Sequence, residues 1–221
     1  ACPQRVCGDT IMESNSVQDV LLIQFAREPL PGMVKTRMLP QLSPEQACEL
    51  HRELVYWTAQ VLTSAQLGPV ELAVAGSVES PLFRQCENLG VQAVRRQSGQ
   101  DLGERMFNAL DDALQRYARV VLVGSDCPQI DRAYLKSAIE ALERCDVVLG
   151  PAEDGGYVLI GVSQLDRRWF QAVDWGSATV YADTLARFEL TGANWQPLEE
   201  LQDIDRPEDL PLWRTIVEQG H

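Results

Sequence analysis

Apolar residues come along this chain in short solid runs, separated by longer stretches where they recur every three or four positions. The solid runs are Val20 to Ala26 (VLLIQFA), Val70 to Ala75, Val91 to Val94, Arg119 to Val123, Asp146 to Gly150, Tyr157 to Val162 and, weakest, Asn194 to Leu198. Runs this short and rich in Val, Leu and Ile read as strands buried on both faces. Helical spacing fills the gaps. Ala47, Leu50, Leu54, Trp57, Val61 and Leu62 line one face of a helix running to about Ala65. Ser43 caps it, Pro44 suits its first position, and Gln46 completes a capping box. Ser80-Pro81 opens a short helix that Gly90 ends, and Asp101 caps a helix to about Tyr117. Asp131 begins another to about Arg144, Trp175-Gly176-Ser177 precede one from about Ala178 to Leu190, and a last helix follows Pro207. Strands alternating with helices predict an α/β domain over residues 19–221 with a mostly parallel sheet, made mixed by an antiparallel Tyr157 strand. Residues 1–18 are expected to form a mobile leader.

Chemistry gathers where the strands stop. The run Val120-Val121-Leu122-Val123 ends in Gly124-Ser125-Asp126-Cys127-Pro128, and Pro128 stops the ladder. Ligands of open parallel α/β sheets bind at the carboxyl ends of strands, which is where Asp126 falls. A plain turn Asp is the competing reading. The first strand leads into Arg27-Glu28-Pro29-Leu30-Pro31-Gly32-Met33-Val34-Lys35-Thr36-Arg37, a shaped loop with three cations, suited to a di- or triphosphate or simply to solvent. It carries neither of the common glycine-rich phosphate patterns. Two further acidic groups, Glu153-Asp154 and Asp203-Asp205, follow later strands. Gly99 and Gly103 flank Asp101 and would let backbone approach a ligand. Asp154, ahead of Gly155-Gly156, reads either as a general base or as a hairpin-turn acid.

Composition narrows the partners. The formal charge of −13 argues against a nucleic-acid backbone or an anionic membrane as main partner, while leaving room for a nucleotide. No apolar run reaches membrane-spanning length. The six Cys form no C-x-x-C pair, so reduced thiols and a cytoplasmic location are expected. The only histidines are His51 and His221, which argues against His-ligated metals and a Ser-His-Asp triad; His51 reads as structural or exposed. Carboxylates without His or Cys partners favour Mg²⁺ or Mn²⁺ over zinc.

The blocks FAREPLPGMVKTRM, SGQDLGERM, VLVGSDCP, GPAEDGGYVLIG and DIDRPEDL, in this order between about residues 20 and 215, resemble the bacterial glycosyltransferase-A-like family. Its members are often named radical-SAM/selenodomain-associated transferases. The resemblance implies a Rossmann-like nucleotide-diphospho-sugar transferase fold: one domain, a mixed sheet flanked by helices, with metal and nucleotide at the strand ends. It implies phosphate or nucleotide contacts from Arg27, Gly32, Lys35, Arg37, Asp101, Gly103 and Arg105. It implies a metal on Asp126, although Ser125-Asp126-Cys127 lacks the second acid of a full D-x-D; Asp203 and Asp205 are candidates for the missing ligand. Asp154 would be the base toward an acceptor hydroxyl. The expected activity is metal-dependent glycosyl transfer from a nucleotide sugar to an acceptor. The chain is more distantly similar to guanylyltransferases, so nucleotidyl transfer with release of pyrophosphate stands as the alternative, with a non-catalytic nucleotide-binding module as a third.

Overall fold

The computed structural model describes residues 18–219; the expected leader, apart from Gln18, lies outside them, as does His221. Seven strands form one sheet in the order β3-β2-β1-β4-β6-β5-β7. They are β1 (Gln18–Arg27), β2 (Val70–Ala75), β3 (Ala93–Arg96), β4 (Tyr117–Val123), β5 (Val147–Pro151), β6 (Tyr157–Val162) and β7 (Trp195–Pro197). All neighbours are parallel except β6, which runs antiparallel to both β4 and β5. The mixed, mostly parallel sheet is therefore as expected.

Alternation along the strands sorts side chains to two cores. Val20, Leu22, Val121 and Val123 face α1 (Pro44–Ala65), α2 (Pro81–Asn88) and α4 (Arg132–Ala141). Leu21, Ile23, Val120 and Leu122 face α3 (Leu102–Leu114) and α5 (Val180–Thr191). A third cluster joins Met38, Ala47, Leu50 and Leu54 to Ile204 and to Trp213 of α6 (Leu210–Gln219). It clamps the loop after β1, the start of α1 and the C-terminal segment together.

Several boundaries move. The third strand is Ala93–Arg96 because Arg95 has a partner: its guanidinium meets the Glu71 carboxylate on β2 at 2.9 Å. α3 stops at Leu114, and Tyr117 already belongs to β4. α4 ends at Ala141 and α5 begins at Val180. The capping box of Ser43 and Gln46 and the caps of Ser80, Asp101 and Asp131 form as expected. No helix among the described residues is long and apolar enough to cross a membrane. Cys48, Cys86, Cys127 and Cys145 are free and buried; burial pushes the Cys127 thiol up to about 12.

Candidate functional site

The chain leaves β1 for β2 and β3 on one side, then returns to β4 on the other, so a crevice opens between the carboxyl ends of β1 and β4. A cavity of about 500 Å³ lies there. Arg27, Lys35, Arg37, Asp101, Arg105, Asp126 and Asp205 line it. Seven residues singled out from the sequence thus converge on one crevice. Four others do not line it.

Buried polar groups hold the crevice open at its base. Gln24, in the middle of β1, donates to the Val55 carbonyl on α1 and to Ser125 Oγ, each at 2.9 Å. Ser125 donates to the Phe25 carbonyl at 2.7 Å. β1, the turn after β4 and the middle of α1 are pinned together next to Asp126. His51 is buried and donates from Nε2 to the Arg27 carbonyl at 3.0 Å, which assigns the tautomer. Burial lowers its pKa against the pull of Asp126, so the imidazole is neutral. The structural reading of His51 holds, yet His51 also lines the cavity. Gln97 was not singled out from the sequence. Its amide donates to the carbonyls of Ala73 and Ala26 at the ends of β2 and β1, and it borders the same cavity.

The C-terminal segment crosses this edge of the sheet as a strap. The Leu201 N–H donates to the Pro151 carbonyl at the end of β5, and the Ile204 N–H to the Asp126 carbonyl after β4. Arg37 on the first loop then meets Asp205 at 2.6 Å. The strap carries Asp205 into the cavity wall and Asp203 to within reach of the charges of Asp126 and Asp154.

Two of the four cations in the lining, Lys35 and Arg37, are paired with acids. Lys35 adopts a left-handed backbone, φ 51°, which turns its side chain inward. The side chain is 3% exposed, and Nζ lies 2.9 Å from Asp126 Oδ1 while donating to the Ile204 carbonyl. Asp126 is half open, at 45%. Burial acts to raise its carboxyl, but the Lys35 ammonium outweighs this and holds it below the ordinary range. Asp203 goes the other way. Burial, then the negative charges of Asp154, Asp126 and Asp205, push it up to about 6.

Asp154 sits on the exposed turn between β5 and β6, where its Oδ1 accepts from the Gly156 N–H at 2.9 Å. That is the bond of a turn acid. Gly155 must be glycine: φ is +89° and a Cβ would stand 2.0 Å from the Ala178 carbonyl oxygen. Although outside the cavity wall, Asp154 is near enough for its charge to act on Arg37 and Asp203. Gly32, φ +77°, shapes the first loop without lining the cavity. A Cβ on Gly103 would lie 2.5 Å from the Trp175 indole, and one on Gly99 2.7 Å from the Arg105 backbone nitrogen, so both glycines make room for protein, and neither lines this cavity.

No three Asp, Glu, His or Cys side chains among the described residues are grouped to hold a metal ion. Magnesium bound alongside substrate phosphates needs only one or two carboxylates. Asp203 is raised first by burial and then by the negative charges around it, and a cation would relieve the second of these.

Residues 58–177, just over half of the chain, match the family described as an uncharacterized protein conserved in bacteria (DUF2064). A structure from Desulfovibrio desulfuricans G20, provisionally named a nucleotide-diphospho-sugar transferase, is 32% identical with a TM-score of 0.80, covering 90% of this chain and 87% of that one. The 2-phospho-L-lactate guanylyltransferase of Methanothermobacter thermautotrophicus is 26% identical over 122 residues, 55% of this chain and 53% of its own length. A nucleotidyl transferase structure from Methanothermobacter shares the fold at a TM-score of 0.61 and 13% identity, covering 91% of this chain and 99% of that one.

Proposed function

The chain belongs to the DUF2064 family of uncharacterized bacterial proteins, and from that premise we propose that it is a transferase acting on a nucleotide through its di- or triphosphate. One observation carries the reading: the β1 loop cations and the acids of β4 and the strap converge on the cavity at the β1/β4 switch point. In it Arg27, Lys35, Arg37 and Arg105 would bind phosphate oxygens, by charge-assisted hydrogen bonds. Asp126 and Asp205, with Asp203 beside them, would hold Mg²⁺ or Mn²⁺. When bound, such an ion neutralises charge on the departing diphosphate.

Glycosyl transfer is the first form of this reading, supported by the similarity to the Desulfovibrio protein along nearly the whole chain. The bond from the anomeric carbon to the phosphate oxygen breaks, one to the acceptor oxygen forms, and nucleoside diphosphate leaves. The acceptor's proton goes to Asp154, whose carboxylate is oriented by the Gly156 N–H. Nucleotidyl transfer is the second form, supported by the guanylyltransferase relative, of whose length the match spans about half. It also suits a turn-bound Asp154, because an acceptor phosphate is already ionised and needs no base. Its oxygen attacks the α-phosphorus and pyrophosphate leaves.

Product analysis decides between them. The protein is incubated with Mn²⁺ and either a panel of nucleotide sugars or the nucleoside triphosphates with phosphorylated acceptors. Release of nucleoside diphosphate supports the first form and release of pyrophosphate the second. Nucleotide binding without either product would make the protein a binding module and overturn the transferase reading.

A further inference from the structure

This inference rests on the nucleotide reading above and concerns what the cavity admits singly. Two of the four cations lining it are paired with acids across the crevice. Lys35 is on Asp126, and Arg37 is on Asp205. The first pair is held rigidly. The Lys35 carbonyl accepts from the Met38 N–H at 3.0 Å, and Met38 is fully buried in the cluster that also contains Ile204 and Trp213. The loop cannot swing away without breaking that cluster, so only the lysine side chain can exchange partners. His51 and Arg27 also face Asp126, and the imidazole is neutral.

A divalent cation arriving alone at Asp126 meets an ammonium already 2.9 Å from one carboxylate oxygen. A phosphate arriving alone finds Lys35 and Arg37 each satisfied by a carboxylate, and among the described cations of the lining only Arg27 and Arg105 lack an ion-pair partner. Arriving together, they exchange partners: the carboxylate takes the cation, the ammonium takes a phosphate oxygen, and every charge keeps an opposite neighbour. We infer that Lys35 makes the cavity accept a divalent cation and a diphosphate as a pair while discriminating against either one alone. Lys35 is in this sense a positioning residue that selects metal-complexed diphosphates over free phosphate esters. The coupling is reciprocal, since each ligand raises the affinity of the other by the same factor.

The test measures binding rather than turnover. Wild type and Lys35→Met are titrated with Mn²⁺ alone, with pyrophosphate, UDP or GDP alone, and with each pair, following free Mn²⁺ by electron paramagnetic resonance and correcting for complexes formed in solution. In wild type a diphosphate is expected to raise Mn²⁺ affinity by at least about tenfold, within the usual range for coupled sites. In Lys35→Met, Mn²⁺ alone is expected to bind at least about threefold tighter than in wild type, and the coupling to fall below about threefold. Loss of a lysine that strengthens metal binding is an outcome a purely structural role does not give. Wild type that takes Mn²⁺ equally with and without diphosphate overturns the inference, as does full coupling in Lys35→Met. Should Lys35→Met fail to fold, Lys35→Gln replaces it in every titration. UDP or GDP bound at full strength without Mn²⁺ overturns the pairing but leaves the nucleotide reading intact. Absence of binding in every combination overturns both.

Discussion

Asp126→Asn and Lys35→Met break the same ion pair from opposite sides, and the surroundings of the two partners make the costs unequal. The Lys35 ammonium is almost wholly buried, and its remaining partner is the Ile204 carbonyl. Removing the carboxylate charge strands it. Breaking a fully buried pair costs about 3–5 kcal/mol. Asp126 is 45% exposed, so screening by water lowers the expected loss to about 2 kcal/mol. Lys35→Met instead leaves a carboxylate whose Oδ1 is buried but whose side chain is otherwise 45% exposed, so water can solvate it in part, and Met keeps the apolar stem. The lost charged hydrogen bond to Ile204 is worth about 1.5 kcal/mol, and the buried thioether offsets part of it, leaving a loss of about 1 kcal/mol. The double variant should cost little more than Lys35→Met alone, because no buried charge is left unpaired. Urea unfolding of all four proteins, in chelator and without nucleotide, gives the cycle. At this chain length about 2 kcal/mol is also a fall in Tm of about 4–8 °C. Equal losses for the two single variants, or losses that add in the double variant, would refute the reasoning.

Asp154→Asn keeps an oxygen to accept from Gly156, so melting and Mn²⁺-nucleotide binding should be unchanged while glycosyl transfer slows by about a hundredfold or more; unchanged turnover would make Asp154 a turn residue only. Burial acts to raise the Glu71 carboxyl, but hydrogen bonds from Arg116 and Arg95 outweigh it and its pKa is lowered. Its stabilising contribution is therefore present above the ordinary carboxylate range and lost as pH falls through the folded value. Wild type should exceed Glu71→Gln by about 1 kcal/mol at neutral pH, with the gap closing in acid denaturation below about pH 4; a gap that persists at low pH would refute this. Trp213 packs edge-on against Trp57 at 5.5 Å and anchors the cluster beneath Ile204. Trp213→Ala should cost about 3–5 kcal/mol and speed amide exchange at Ile204 in hydrogen-exchange mass spectrometry, and unchanged protection of the strap would separate the two.

Local chemistry was legible in the chain. Ser43, Pro44 and Gln46 specify a helix start among themselves, and solid runs such as VLLIQFA announce strands with two buried faces. The first loop and the Asp126 strand end were legible as candidates for the same reason. What could not be read was pairing set by strand order. Arg95 looks like loop until Glu71 lies beside it on β2. Lys35 and Arg37 look free until the strap brings Ile204 and Asp205 across the sheet. Gly103 looks like room for a ligand until Trp175 arrives to fill it. Gln24, one polar residue in an apolar run, was the visible sign of the network under Asp126, and His51 carried no sign of its place in the cavity wall.

β6 runs against every other strand of the sheet, and this has a consequence for how such a molecule can diversify. A parallel neighbour of β4 would have to be reached by a crossover helix, and any change to it would disturb packing on a whole face. The reversed strand is joined to β5 by a tip of only five residues, 152–156, at the same rim as Asp126. The exposed positions of that tip, Glu153 and Asp154, can exchange while Gly155, the β1 loop, Gln24 and Ser125 stay as they are. Two inheritances are thereby separable within one domain: a cradle built by βα units that tolerates little drift, and two open positions on a short bend beside it that tolerate more.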